Sequence, residues 1–413
     1  MLDTDFAPWP CFSDEEVAAV TDVLRSGRVN YWTGQECRAF EREFAAWADS
    51  PHAVAVANGT VALDLALHGL GIGPGDAVIV TPRTFLASAT CVINAGATPI
   101  FADVDRDSGN LTAATIAAAL TPQTRAVIVV HLAGAPAEMD AIMALAAAHD
   151  LKVVEDCAQA HGARYKGRSV GSIGHIGAWS FCQDKIMTTG GEGGMVTTGD
   201  PALWSKMWSF KDHGKAWNAV YERQHAPGFR WLHESVGTNW RMMEMQAAIG
   251  RIQLRRMAEW TAQRRANAAR LREALQPFAG TDGLIRLPHA VGTAHGAASV
   301  HAEYKFYAHV RPENLAGRWT RDRIVAEINA LGVPCFQGTC SEVYLEKAFD
   351  VIGRPVTRLP VARQLGETSL MFLVHPTLAQ DDMDRACAAI QRVLTSAQGC
   401  MVQAGCDVYG SMA

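Results

Sequence analysis

From Ala53 to Thr198 the chain alternates between two kinds of segment, and this alternation restricts its fold more than any other feature. Short runs rich in Val and Ile read as strands: Ala53–Ala57, Ala77–Thr81, Pro99–Val104, Ala126–His131, Lys152–Asp156, Ala178–Cys182 and Gly194–Thr198. Stretches rich in Ala and Leu lie between the first five and read as helices: Val61–Gly69, Phe85–Ala95, Ala113–Leu120 and Ala137–His149. Strands that are apolar along their whole length are buried on both faces. The pattern therefore predicts a large α/β domain whose mostly parallel seven-stranded sheet carries helices on each side.

The flanking sequence completes the plan. Ser13, with Glu16 three residues on and Gly27 behind, marks a capped first helix. A long helical pattern covers about Met242–Phe278. Beyond Gly283, strand-like segments (Tyr304–Val310, Met371–Val374) mix with helices (Thr320–Leu331, Asp381–Thr395) and predict a smaller α+β unit. The expected division is 1–250 for the large domain and its N-terminal segment, 251–280 for a helical connection and 281–413 for a small C-terminal domain. The tail after Ser396 has no pattern.

Composition narrows the function classes. The 413 residues carry 37 Lys and Arg against 42 Asp and Glu, a net charge of −5. That excludes the broad basic surface of a general nucleic-acid binder, though not a local basic pocket. No apolar run reaches the roughly 20 residues needed to span a bilayer, and MLDTDFAPWP lacks a secretory pattern. The ten cysteines are scattered, with no CxxC and no zinc spacing. They read as free thiols of a cytoplasmic protein with no metal site.

In open α/β sheets ligands gather beyond the carboxyl ends of the strands. Asn58-Gly59-Thr60 follows the first strand and opens a helix. It is either a phosphate cradle or a plain turn with a Thr cap. Phe85 follows the second strand as a ring platform or a core residue. Asp156 ends the fifth strand, with Glu155 on the opposite face. It is a helix cap or a buried carboxylate that needs a cationic partner. Lys185 follows the sixth strand, ahead of Gly190, Gly191, Gly193 and Gly194. It is a solvated charge or an imine-forming amine. Taken together, a phosphate cradle, a flat-ring platform, a carboxylate and a lysine are the parts of a pyridoxal 5'-phosphate site. Two other motifs fail. LGIGPGD cannot carry GxGxxG and reads as a turn, and DVDRDSGN lacks the glycine register and the final Glu of a calcium loop.

Six stretches, in order over about residues 10–250, resemble the DegT/DnrJ/EryC1/StrS sugar aminotransferase family: SGRVNYWTG, NGTVAL, TPRTFLASATCVINAGATPIFADVD, EDCAQAHGA, SFCQDKIMTTGGEGGMV and GTNWRMMEMQAAIG. The resemblance implies an aspartate-aminotransferase-like (fold type I) three-layer large domain, a small α+β C-terminal domain and a homodimer with shared active sites. By position it makes Lys185 the catalytic lysine that binds the cofactor and Asp156 the partner of the pyridine nitrogen. Gly59, Thr60 and Ser180 become phosphate-binding residues, Phe85 the aromatic over the ring and Gln159 a cofactor contact. Asn239 would reach the cofactor phosphate of the neighbouring subunit. TTGGEGG is one residue longer than the commoner TTGEGG of the family. Related proteins with histidine in place of the lysine dehydrate sugars, so Lys185 favours transamination, with pyridoxamine phosphate as the intermediate form.

The implied reaction moves an amino group from an amino acid, glutamate or glutamine, to a keto sugar carried on a nucleotide diphosphate. A keto-cyclitol acceptor of antibiotic biosynthesis is the alternative within the family, and a non-catalytic regulator on the same fold the alternative outside it. Arg28, Arg83, Arg230 and Arg241 are candidate partners for acceptor phosphates. His213, His301, Tyr304 and His375 are candidates for lining the site.

Overall fold

The structure, a computed structural model, describes residues 5–288, 298–350, 352 and 354–398. Nine strands belong to the first two hundred residues: β1 (His52–Val56), β2 (Ala77–Val80), β3 (Thr98–Phe101), β4 (Thr124–Val130), β5 (Lys152–Asp156), β6 (Arg164–Tyr165), β7 (Arg168–Ser169), β8 (Ile176–Ser180) and β9 (Gly194–Thr198). Seven form one sheet in the order β1-β9-β8-β5-β4-β2-β3, and β6 and β7 make a separate hairpin. All neighbours from β8 to β3 pair in parallel. β9 runs antiparallel to both β1 and β8, so six strands share one direction. The mostly parallel seven-stranded sheet is as the alternation predicts. The reversed strand is not legible in that pattern, because a strand buried on both faces looks the same in either direction.

The sheet separates two apolar cores. Val54, Val56, Val80, Ile128 and Val154 belong to one, with Phe40, Phe44, Trp179 and Phe181. Ile79, Val127, Val129 and Val153 belong to the other, with Met139 and Ile142. In β2, β4 and β5 adjacent residues alternate between them, as the pleat requires, whereas all of Ala53–Val56 in the edge strand β1 belongs to the first. The sixth strand runs over Ile176–Ser180, two residues earlier than the sequence pattern gave, which leaves Lys185 on a loop five residues beyond its end.

The first helix occupies Asp14–Ser26, and the Ser13 amide donates to Glu16 Oε2 at 2.6 Å. A 32-residue helix, Glu244–Leu275, begins against the Asp14–Ser26 and Glu36–Trp47 helices. Arg251 pairs with Glu36 and Glu43 there, and Arg256 with Glu15 and Glu16. Farther along, the long helix packs on the helix Gln380–Gln398. That last helix runs three residues beyond the expected end at Thr395. The remaining tail, with Cys400 and Cys406, lies outside the described residues. β10 (Ile285–Arg286), β11 (Phe306–Val310), β12 (Cys335–Phe336) and β13 (Ser369–Phe372) form an antiparallel sheet in the order β10-β11-β13-β12. This sheet has its own core, with Leu271, Leu275, Phe306, Phe372, Ile390 and Leu394.

Among the described residues no helix is long and apolar enough to cross a membrane, and the eight described cysteines are free thiols. The two rejected motifs close on themselves. Gly73 and Asp76 exchange turn hydrogen bonds. Asp105 Oδ1 accepts from the amides of Asp107 and Ser108 and from the Ser108 hydroxyl.

Candidate active site

The shared strand direction brings the carboxyl ends of β1, β2, β4, β5 and β8 to one edge of the sheet. At the end of β1 the Asn58 side chain accepts from the Val61 amide at 3.0 Å and caps the helix Gly59–Leu70. The amides of Gly59 and Thr60 come before any intrahelical acceptor, so this terminus presents free donors and the positive end of the helix dipole. Gly59 is required by space. A Cβ there would stand 2.5 Å from Ser180 Cβ, and one on Gly194 would stand 2.3 Å from the Asn58 carbonyl oxygen. The cap, the end of β8 and the start of β9 thus meet backbone to backbone. Ser180 is buried at this junction, and its Oγ accepts from the Cys182 amide.

Asp156 is buried at the end of β5. Its Oδ2 accepts from Ser88 Oγ at 2.7 Å, its Oδ1 from the Ala158 amide at 3.1 Å. Ser88 shares a 2.8 Å hydrogen bond with Thr84. The cationic partner expected from the sequence is absent among the described residues: both partners of this carboxylate are neutral. Glu155, on the opposite face, instead faces His131 at 2.9 Å and accepts from the amides of Gly171, Ile173 and Gly174. That set of partners leaves the His131–Glu155–Cys157 cluster no need of a metal ion.

Lys185 lies with Asp184 and Tyr304. Its Nζ is 3.9 Å from Asp184 Oδ1 and 5.4 Å from the centre of the Tyr304 ring. The Tyr304 hydroxyl donates to Asp184 Oδ2. Burial pushes the Asp184 carboxyl up, but the Lys185 charge and the tyrosine hydroxyl outweigh it and hold the group below its ordinary range. From the N-terminal segment, Trp9 Nε1 donates to the Lys185 carbonyl at 2.8 Å. His161 is fully buried against Trp179 and Phe181. Burial, together with the charges of Lys185 and Arg264, pushes it down to about 3, so the ring is neutral.

Phe85 precedes the helix Ala87–Asn94 and is 68% exposed, an apolar ring left uncovered at the strand-end rim. Gln159 Oε1 accepts from the Ala133 amide at 2.8 Å, tying the loop after β5 to the loop after β4. Asn239 is exposed on the chain between Tyr221 and Met243, and its backbone bridges to Asp212. The four candidate arginines separate. Arg28 and Arg230 are exposed, Arg241 pairs with Asp212 at 2.7 Å, and Arg83 is buried. Ser88, Asp184 and Trp9 were not anticipated. Ser88 falls one turn after Thr84 within the quoted TPRTFLAS, a spacing that could have found it. Trp9 lies 176 residues from its partner and leaves no local signal.

These residues fit pyridoxal phosphate. A buried carboxylate without a cation suits a protonated ring nitrogen, a glycine-lined helix terminus suits a phosphate, and an uncovered aromatic suits a flat ring. Fold and site together define a pyridoxal-phosphate-dependent aminotransferase. The chain belongs to the DegT/DnrJ/EryC1/StrS aminotransferase family, which it matches over residues 10–391. It is 38% identical to the dTDP-3-amino-3,4,6-trideoxy-alpha-D-glucose transaminase of Streptomyces venezuelae over 91% of each chain. It is also 38% identical to the GDP-perosamine synthase of Caulobacter vibrioides, over 86% of this chain and 89% of that one. The crystal structure of an aminotransferase from Psychrobacter cryohalolentis superposes with a TM-score of 0.94 at 63% identity, covering 95% of this chain and 99% of the other.

Proposed function

We propose that this aminotransferase moves an amino group from an amino acid, glutamate or glutamine, to a keto sugar carried on a nucleotide diphosphate. The observation that carries the reading is the cation-free buried carboxylate of Asp156 on the same strand-end edge as Lys185 and the Gly59–Thr60 terminus. Relatives named for dTDP- and GDP-linked amino sugars support the choice of acceptor.

When bound, pyridoxal phosphate supplies a carbonyl that exchanges amino groups and a ring that withdraws electrons. The chain's residues then divide the work. Lys185 Nζ would hold the cofactor, and its free amine would move the proton at Cα of the amino acid. Asp156 keeps a proton on the ring nitrogen, and Ser88 orients that carboxylate. The amides of Gly59 and Thr60, with Ser180, bind the phosphate. Phe85 would lie over the ring, and Gln159 would contact the cofactor. Asp184 and Tyr304 position the Lys185 amine.

Asn239 completes the phosphate site of a second copy in a homodimer. The stretch that carries it leaves Phe229, Trp231 and Val236 79–87% exposed, apolar surface that a partner chain would cover. The division into residues 1–250, 251–280 and 281–413 and a cytoplasmic location complete the proposal.

The test is the visible spectrum of the purified protein with pyridoxal phosphate. Glutamate or glutamine without an acceptor removes the long-wavelength band, and a keto sugar nucleotide restores it. Lys185→Ala abolishes the exchange. Turnover by that variant, or amination of a keto-cyclitol but of no sugar nucleotide, overturns the assignment.

A further inference from the structure

Lys305 stands beside Lys185 and takes no part in the cofactor contacts proposed above. The segment that carries it is pinned. The amides of Ala302 and Tyr304 donate to the carbonyls of Gly134 and Ala133 at 2.9 Å, and β11 starts at Phe306. Tyr304 is buried, and two amines gather around its ring. Lys185 Nζ lies 5.4 Å from the ring centre and Lys305 Nζ 4.8 Å from it. The Tyr304 hydroxyl donates to Asp184 Oδ2, while Asp184 Oδ1 faces Lys185 Nζ at 3.9 Å. Two lysines, a tyrosine and a carboxylate thus form one cluster.

Within it, Asp184 works against the role given to Lys185. It is the only carboxylate that pairs with Lys185 among the described residues. A carboxylate beside an amine stabilises the ammonium form, and an ammonium can neither form an imine nor accept a proton. Lys305 opposes that pull. It has no hydrogen-bond or ion-pair partner among the described residues, and Asp184 feels its charge as well as that of Lys185. Burial lowers the Lys305 amine to about 8, with attraction from Asp184 and repulsion from Arg264 and Lys185, so it stays mainly charged at neutral pH.

The other groups packed here add positive charge or none. Arg264, from the long helix, is 1% exposed, lies over the Trp9 ring and leaves Nε and Nη2 without partners among the described residues. His161 and His375, after β5 and β13, are pushed down to about 3 by burial and by these cations, and are neutral. Burial and the Asp184 charge hold the Tyr304 hydroxyl well above its ordinary range, so it keeps its proton. Asp184 therefore stands among several cations rather than paired with Lys185 alone.

We propose that Lys305 is a positioning residue for Lys185: it shares the Asp184 carboxylate, repels a second ammonium beside it and so keeps the Lys185 amine in its unprotonated, reactive form. Tyr304 fixes where the two lysines stand. The inference rests on the reading of Lys185 as the catalytic lysine and deepens it.

Two pH titrations test it. In the cofactor-free chain, trace acetic anhydride acetylates amines only in their unprotonated form, and mass spectrometry of the Lys185 peptide gives the midpoint for that residue. In the loaded enzyme, the visible band is followed against pH. Lys305→Met and Lys305→Gln each raise both midpoints by about one pH unit, the size expected for nearby charges at an effective dielectric of about 20. Lys305→Arg keeps the charge and stays close to wild type, and Asp184→Asn moves both midpoints down. Two neutral substitutions guard against failure of either one to fold. A role in folding alone would lower the urea midpoint and leave the pH midpoints in place. Midpoints unmoved in both neutral variants, or raised as far by Lys305→Arg, overturn the proposal. Loss of the visible band on adding glutamate is measured alongside. If wild-type enzyme fails there, the transaminase reading falls; if it succeeds and the midpoints do not move, only the role of Lys305 falls.

Discussion

Ser88 Oγ donates to Asp156 Oδ2 at 2.7 Å, joining the helix after β2 to the end of β5 across 68 residues of chain. The acceptor is a buried carboxylate whose second described partner is one backbone amide. Hydrogen bonds to charged groups contribute about 1.5–3 kcal/mol. Ser88→Ala is therefore expected to lower the stability of the cofactor-free protein by about 2 kcal/mol, read from the urea midpoint, and to slow the reaction with glutamate. An unchanged midpoint would remove Ser88 from any role in holding Asp156.

Gly59 and Ser180 give a steric prediction. A methyl at Gly59 would sit 2.5 Å from Ser180 Cβ and 3.1 Å from its Cα, so backbone and not a flexible side-chain tip must move. Overpacking of this kind costs about 1–3 kcal/mol. It also shifts the helix terminus proposed to hold the phosphate. Gly59→Ala should retain pyridoxal phosphate at least tenfold less well through dialysis, measured by residual visible absorbance. Retention equal to wild type would place the phosphate elsewhere.

The strand-end placement of the residues proposed to hold the cofactor was legible because each of Gly59, Asp156 and Lys185 sits within a few positions of a strand that the apolar pattern marks. Gly59, Asp156 and Lys185 needed no knowledge of distant contacts. The neutral surroundings of Asp156 were not legible, since a missing cation is a property of everything packed around the strand. Trp9 and Tyr304 reach Lys185 and its neighbour Asp184 from 176 and 120 residues away, a relation no local period encodes. The direction of β9 was hidden for the same reason: burial on both faces fixes composition, while pairing partners fix orientation.

Arg83 tests how a buried, uncompensated guanidinium contributes to folding. It donates to the hydroxyls of Ser341 (2.7 Å) and Ser369 (3.3 Å). Ser341 and Ser369 also donate to the carbonyls of Ala362 and Leu365, so neither hydroxyl is stranded when the arginine is removed. Desolvation already pulls the Arg83 group below its ordinary range. Arg83→Met, of similar length, is expected to change the unfolding free energy by less than about 1 kcal/mol, or to raise it. A loss of 3 kcal/mol or more in chemical denaturation would make Arg83 a structural tie between β2 and the segments that carry Ser341 and Ser369.

Glu303 sets a pH dependence whose sign follows from its displaced titration. Its side chain is 16% exposed, and burial raises the carboxyl from 4.5 to about 7 in the folded protein, with Arg272 and Arg265 opposing. Its neighbour His301 is held down to about 3 and stays neutral over that range. Between pH 4.5 and 7 the folded chain keeps a proton that the unfolded chain has released. Stability therefore falls as pH rises through that window and is level above it, by about 3 kcal/mol at most for this group. Glu303→Gln, which cannot ionise, should match wild type in stability at pH 4.5 and exceed it at pH 8. A difference between the two proteins that does not grow across pH 4.5–7 in denaturant titrations would mean that Glu303 ionises in its ordinary range.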